Sequence, residues 1–358
     1  MTKSVTTKTL LSNLTVYGLL HLFIDAICAG VIFSVFKDKI VDPASLLSLV
    51  IVYNVLAFGL QVFVGLISDY FKSPRLIAIL GCFLTGMASL MYASFPVTAI
   101  VFIGIGNALF HVGGGSISLN LTPGKAAAPG IYVAPGALGL LVGTLLAKTG
   151  KFNAPLLVLI VAVLSVCIIF ISKPYMNYSP RKNQVDKKSY TELVLALVML
   201  SISVRSLVGS LMVFPWKVNL TLLVILTVAI ALGKALGGVI ADRFGWIRIA
   251  VGALILSLPL IVFGSSVPFL AIAGMFLFNM TMPVTLVLIS NTLHGRPGFA
   301  FGLTCLAILL GALPALLGVS NIPHAQYLAP VTILISALAL YYGITLYNKN
   351  IKNNEGRV

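Results

Sequence analysis

Acidic residues are scarce in this chain: eight Asp and Glu stand against 23 Lys and Arg in 358 residues, and charged residues make up 9% of the whole. A soluble domain carries about 25%. So little charge, with a mean hydropathy of +1.09, excludes an ordinary water-soluble fold. A glycine-rich nucleotide-binding loop is also missing, as is any Cys/His run with zinc spacing, so neither ATP-driven pumping by this chain alone nor a zinc motif is expected. Cys28, Cys82, Cys167 and Cys305 lie singly in four different apolar stretches. None pairs locally or has metal-ligand spacing, and all four read as small core residues.

What the chain does have is apolar runs, and they recur along its whole length. Twelve are long enough to cross a bilayer: about 11–36, 45–68, 75–94, 96–121, 129–149, 153–173, 191–214, 219–241, 247–264, 267–291, 298–319 and 326–347. A hydrocarbon core of roughly 30 Å needs about 20 such residues. The first run is not a cleavable signal peptide, because it is too long and carries His21 and Asp25 in its middle. The net charge of +15 suggests nucleic acid only until the basic residues are placed. With both termini inside, sixteen of the 23 Lys and Arg fall on the cytoplasmic side. That bias follows the positive-inside rule, excludes nucleic acid as a partner, and predicts a multi-pass protein of the cell inner (plasma) membrane with both termini cytoplasmic. Membrane lipid is its surrounding; the sequence sets no oligomeric state, and a monomer is compatible with it.

The one sizeable polar connection, about 174–190, divides the chain into an N-terminal bundle at 1–173 and a C-terminal bundle at 191–358. The two parts echo each other. Gly65 to Asp69 after span two recurs as Gly238 to Asp242 after span eight, an offset of 173 residues. Asn120, Gly124 and Lys125 recur as Asn291, Gly295 and Arg296 at an offset of 171, and Asn107 recurs as Asn279 at 172. These coincidences indicate a duplicated six-helix unit.

The loop sequence GVIADRFG, with its fainter copy GLISDYFK, and the duplicated six-helix halves resemble the major facilitator superfamily over the full chain. The first copy departs from the motif at Tyr70 and Lys72. A glycine-rich fifth span, with Gly130, Gly136, Gly139 and Gly143, is similar to the superfamily's close-packed exporter helix. Within the superfamily, three stretches resemble the fosmidomycin-resistance type of drug exporter: His21-x-x-x-Asp25, the run from Gly104 to His111, and Val204-Arg205-Ser206 followed by Phe214-Pro215. The chain departs from that type at Val112 to Gly115. The resemblance implies an all-α membrane fold of twelve transmembrane helices in two pseudo-symmetric six-helix bundles. Spans one, four, seven and ten would line a central cavity.

Residues four apart share a helix face, so His21 and Asp25 project together, as do Asn107 and His111. Asp25 and Arg205 each lie about 14 residues from a cytoplasmic span end, roughly 21 Å in, and the two histidines lie roughly 15 Å in. A charge at the centre of a membrane helix costs about 2.5–3.5 kcal/mol on the insertion scale, so such residues are paired or face a wet cavity. One reading makes Asp25 and Arg205 a static ion pair. The other makes Asp25, His21 and His111 the proton-coupling group, with Arg205 holding an anionic part of the substrate. Further substrate-binding candidates are Asn107, Asn279 and Lys234, although Lys234 is also placed to snorkel. Asp69, Arg75, Asp242 and Arg243 are the candidate gating residues. Gly113, Gly114 and Gly115 are there either for close packing or as a hinge below His111. His294 and His324 fall in loops.

The expected function is secondary active transport, proton-coupled export of a small organic molecule or drug by alternating access. The proton gradient is its energy source, and it uses no cofactor, no metal and no enzyme chemistry. Proton-coupled import of a small anionic nutrient is the alternative. An intramembrane enzyme would need a nucleophile or metal cluster beside His21 and Asp25, and a receptor would need a partner domain.

Overall fold

The computed structural model describes residues 5–38, 42–178, 190–318 and 328–355; His324 and most of the 174–190 connection lie outside them. Ten of its helices are long and apolar enough to cross a membrane. They are spans one (Thr7–Lys37), two (Ala44–Phe71), three (Pro74–Met91), four (Pro96–Leu121), five (Ala127–Lys148), seven (Thr191–Leu211), eight (Leu220–Phe244), ten (Pro268–Thr292), eleven (Pro297–Leu316) and twelve (Ala329–Ile351). Two shorter apolar helices, Ala154–Phe170 and Ile247–Phe263, take the places of spans six and nine. The fold is all-α.

Proline sets many of the starts. Pro43, Pro74, Pro96, Pro268 and Pro297 stand in the first turns of their helices, where a missing N–H costs nothing. Asn153 and Asn219 cap spans six and eight by accepting from Leu156 N–H at 3.0 Å and Leu222 N–H at 3.2 Å. Three details differ from the sequence pattern. Span two contains a π-helical turn at Val55–Gly59. Span seven ends at Leu211 and is followed by a 3-10 turn at Pro215–Val218, because Pro215 cannot continue the α-helical ladder. Span ten breaks between Asn279 and Met282, where Pro283 offers no N–H to the carbonyl of Asn279.

The echo between the two parts of the sequence has a backbone counterpart. Gly124 and Gly295 occupy the same left-handed conformation, at φ 77° and 76°, in turns closed by Lys125 N–H on Thr122 and Arg296 N–H on Leu293. Lys72, at φ 53°, is the one non-glycine residue with positive φ among those described, and its repeat partner Gly245 has φ 97°.

Small residues bring the helices together. An ideal Cβ at Gly139 or Gly143 would lie 2.1 Å from the carbonyl oxygens of Leu22 or Ala26, so spans one and five touch backbone to backbone. Span two meets span eleven at Gly65, Gly298 and Gly302, and span five meets span eight at Gly130 and Gly238. These two seams are the main contacts across the linker. Dispersion and close approach, not hydrophobic burial, hold helices together in lipid. The three glycines after His111 are packing residues on a continuous helix. A Cβ would meet the carbonyl of Pro74 at Gly113, the ring and hydroxyl of Tyr132 at Gly114 and the ring of Phe301 at Gly115.

Candidate functional site

Span one carries His21 and Asp25 one turn apart, with the imidazole Nε2 3.3 Å from Asp25 Oδ2. Span four brings His111 and Asn107 to the same place. His111 Nε2 lies 2.9 Å from His21 Nε2 and 3.5 Å from Asp25 Oδ1. Asn107 Nδ2 donates to Asp25 Oδ1 at 3.2 Å and reaches the Cys28 sulfur at 3.6 Å. Each ring is fixed from behind by a backbone carbonyl: His21 Nδ1 bonds to that of Tyr132 at 2.9 Å, and His111 Nδ1 to that of Asn107 at 2.8 Å. The rings cross almost at right angles, with centroids 4.4 Å apart. His21 and Asp25 are 5% and 7% exposed, so solvent contributes little to their satisfaction.

Span five supplies the seat for this cluster. A Cβ on Gly136 would stand 2.4 Å from His21 Nε2 and 2.6 Å from Asp25 Oδ2, so only glycine leaves room for the side chains there. The glycine spacing was visible in the sequence; what it accommodates was not. Tyr132 was missed as well, since its contribution is a carbonyl that every residue has. The three side chains could offer a metal ion one ligand atom each, all within 4.8 Å of one another, one ligand short of a closed structural zinc site.

The remaining candidates lie elsewhere. Arg205 makes no ion pair with Asp25. Its guanidinium donates to the hydroxyls of Thr281 and of Thr285, the latter at 3.0 Å, within the second part of the chain. Its Nε is buried without a hydrogen-bond partner. Asn279 donates to the carbonyl of Met275 in its own helix at 2.8 Å, so this counterpart of Asn107 does not join the cluster. Lys234 is half-buried in the middle of span eight, near enough to Asp25 for their charges to interact. No hydrogen bond or ion pair holds its ammonium among the described residues.

The gating candidates divide in two. Asp69 accepts from Gly298 N–H at 2.9 Å and Phe299 N–H at 2.8 Å, at the start of span eleven. Asp242 accepts from Ala126 N–H at 2.9 Å and Ala127 N–H at 2.8 Å, at the start of span five, and from the Trp246 indole at 3.1 Å. Each carboxylate thus crosses the linker and caps a helix N-terminus, where unpaired N–H groups and the helix dipole favour negative charge. The motif arginines take no part. Arg75 donates to the carbonyl of Ile171 at 2.6 Å, and Arg243 lies over the Phe244 ring.

No family model matches the sequence. An uncharacterised MFS-type transporter of Bacillus subtilis (strain 168), YfnC, is 26% identical over 326 residues, covering 80% of this chain and 79% of that protein. Among solved structures, the E. coli fucose:proton symporter FucP superposes with a TM-score of 0.72 at 11% identity, over 94% of this chain and 99% of its own. The human organic anion transporter MFSD10 (TETRAN) does so with a TM-score of 0.71 at 15% identity, over 93% and 99%. Two seams of close-packed spans, the paired carboxylate caps and these likenesses agree on one architecture, the two-bundle fold of the major facilitator transporters that the chain is similar to.

Proposed function

We propose that this chain is a proton-coupled secondary transporter that exports a small organic molecule by alternating access. The observation that carries this reading is the buried trio of His21, Asp25 and His111, three titratable groups in van der Waals range inside the membrane. Ionisable residues at that depth are costly, and their usual use is a proton or substrate path. The two bundles, 1–173 and 191–358, rock against each other about the seams between spans two and eleven and spans five and eight. Asp69 and Asp242 latch the closed side. That side is cytoplasmic in this reading, as are both termini. The export direction comes from the resemblance of His21-x-x-x-Asp25 and the Gly104–His111 run to the fosmidomycin-resistance type.

A second reading, import of a small anion, is favoured by one observation: the Nε of Arg205 is buried without a hydrogen-bond partner. Both readings are separated by reconstituting the purified protein in liposomes loaded with a pH-indicating dye. Fosmidomycin and a panel of neutral and anionic solutes are then added on either side. Antiport moves protons against the direction of the solute and symport moves them with it. A solute that is transported without proton movement in either direction would overturn proton coupling.

A further inference from the structure

We infer that the transported proton is held by the histidine pair, on Nε2 of one ring and against Nε2 of the other, and that Asp25 is its fixed counter-charge and not its carrier. This rests on the proton-coupling reading above and specifies its atoms.

The argument is a count of donors and acceptors. A carbonyl oxygen only accepts, so the Nδ1 of His21, against the Tyr132 carbonyl, carries a hydrogen, and so does the Nδ1 of His111, against the Asn107 carbonyl. A neutral imidazole has one N–H. Both Nε2 atoms are therefore bare lone pairs when the rings are neutral. Yet the two atoms lie 2.9 Å apart on rings that cross edge to face, beside the two oxygens of Asp25. Four acceptor atoms converge, and the one donor that the structure supplies, Asn107 Nδ2, points at Asp25 Oδ1. That arrangement is repulsive unless a cation sits within it. A proton on one Nε2 turns the closest contact into an N–H···N contact of hydrogen-bond length, donated by one ring to the ring that crosses it.

The distances also choose the atom. A proton on Asp25 would have to bond across 3.3 Å to His21 or 3.5 Å to His111, and would leave the 2.9 Å contact unfilled. Two protons would set two N–H groups head to head. The cluster as built therefore holds one proton, with an imidazolium and a carboxylate cancelling in charge. Release breaks the Nε2–H bond, passes the proton to water, and leaves two lone pairs that push the rings apart. His111 is the ring that can move, since its side chain is 12% exposed against 6% for His21. The titratable groups around the pair are Asp25 and Cys28 on span one, Tyr53 on span two, Tyr132 on span five and Lys234 on span eight. Asp25 is in contact and favours the proton; Lys234 makes no contact and opposes it.

The test needs no substrate. Full-length protein with 15N-labelled histidine rings, in lipid nanodiscs, is examined by NMR, and proton release on a rapid pH jump is counted with an indicator dye. We expect one protonated Nε2 per chain, with both Nδ1 atoms also protonated, and one proton released per chain. His111→Gln should remove both signals. Asp25→Asn should keep the release of one proton but move its midpoint to lower pH by about 1–3 units, the usual effect of removing an adjacent opposite charge. The inference is overturned if both wild-type Nε2 atoms are unprotonated, if Asp25→Asn abolishes the release while His111→Gln retains it, or if a chelator removes a stoichiometric metal ion from the purified protein. If the NMR result stands but no solute drives proton movement in liposomes, the transport reading fails and the assignment of the proton to the histidine pair does not.

Discussion

The cap that Asp242 places on span five, the latch of the proposed cycle, can be weakened without changing its size. In Asp242→Asn the side chain keeps one oxygen, which can accept from only one of Ala126 and Ala127, now 2.9 and 2.8 Å from the carboxylate. The new amide group is then directed at a backbone N–H, donor against donor. Hydrogen bonds to a charged group contribute about 1.5–3 kcal/mol each, and a negative charge at a helix N-terminus about 0.3–1 kcal/mol, up to roughly 2. The two effects overlap at one site, so we take about 2–3 kcal/mol in total. At 1.4 kcal/mol per tenfold, this shifts the closed-to-open equilibrium of that face by roughly 25- to 150-fold towards open.

Spin labels at Lys125→Cys and Phe244→Cys, exposed positions on either side of the latch, report the shift as a distance distribution once Cys28, Cys82, Cys167 and Cys305 are replaced. The longer-distance population should grow in Asp242→Asn, while the affinity for a bound solute, corrected for the shift in state, changes little. A distribution identical to that of the parent would refute the latch, because a cap contributing 2 kcal/mol or more cannot be lost without moving a two-state equilibrium.

Other consequences are smaller or more local. Lys72→Gly should raise the thermal midpoint in detergent by relieving a left-handed residue, a strain of about 1–2 kcal/mol for a side chain other than glycine; an unchanged or lower midpoint would show that the unfolded chain's gain in freedom cancels it. Gly136→Ala should leave the fold intact and abolish proton release, since its Cβ would occupy the space between His21 and Asp25; normal release would mean the cluster is not seated on span five. Thr281→Val with Thr285→Val should destabilise by about 3 kcal/mol or more, because two hydrogen bonds to a buried cation are lost, and Arg205→Met in that background should recover part of it. A double variant as stable as the parent would show that Arg205 turns to other partners.

Much of this arrangement was legible in the sequence, and the reasons are physical. His21 and Asp25, or Asn107 and His111, announce themselves because a polar pair at helical spacing is costly in an apolar span. The caps by Asp69 and Asp242 follow from a repeated motif at a fixed offset. What was not legible depends on backbone and on choice among neighbours. A carbonyl such as that of Tyr132 carries no residue identity. Arg205 was open to pairing with Asp25 on the sequence, and instead it takes two threonines of span ten, residues that also bond back to their own helix. Asn279 matches Asn107 in the repeat, yet its amide goes to its own helix at Met275. Arg75 and Arg243 sit in the gating motif but hold a carbonyl and an aromatic ring. A duplicated sequence thus gives duplicated caps, while the cluster of His21, Asp25 and His111 is confined to one half.

That asymmetry needs a connection between cluster and latch, and span five is the element that touches both. Its first residues, Ala126 and Ala127, are held by Asp242. About two turns on, Tyr132 holds His21 by its carbonyl, and Gly136 lies against His21 and Asp25. Between these points Gly130 packs against the backbone of Lys234. A helix is stiff over this length, so a movement of His111 that shifts His21 through their Nε2 contact is taken up by the carbonyl of Tyr132 and passed to the capped N-terminus. The physical warrant would be a two-state element biased from both ends, and a double-mutant cycle measures it. Closed-state populations are read from the Lys125→Cys and Phe244→Cys labels in the parent, Asp242→Asn, His111→Gln and the double variant. Independent sites this far apart would add to within about 0.3–0.5 kcal/mol. We expect a coupling of about 1 kcal/mol, within the range measured for allosteric pairs, that disappears when Tyr132→Pro interrupts span five between the two sites. Additive effects would mean that the proton acts on the equilibrium through the cavity, by charge on Lys234 or on the solute, and that span five is only a wall.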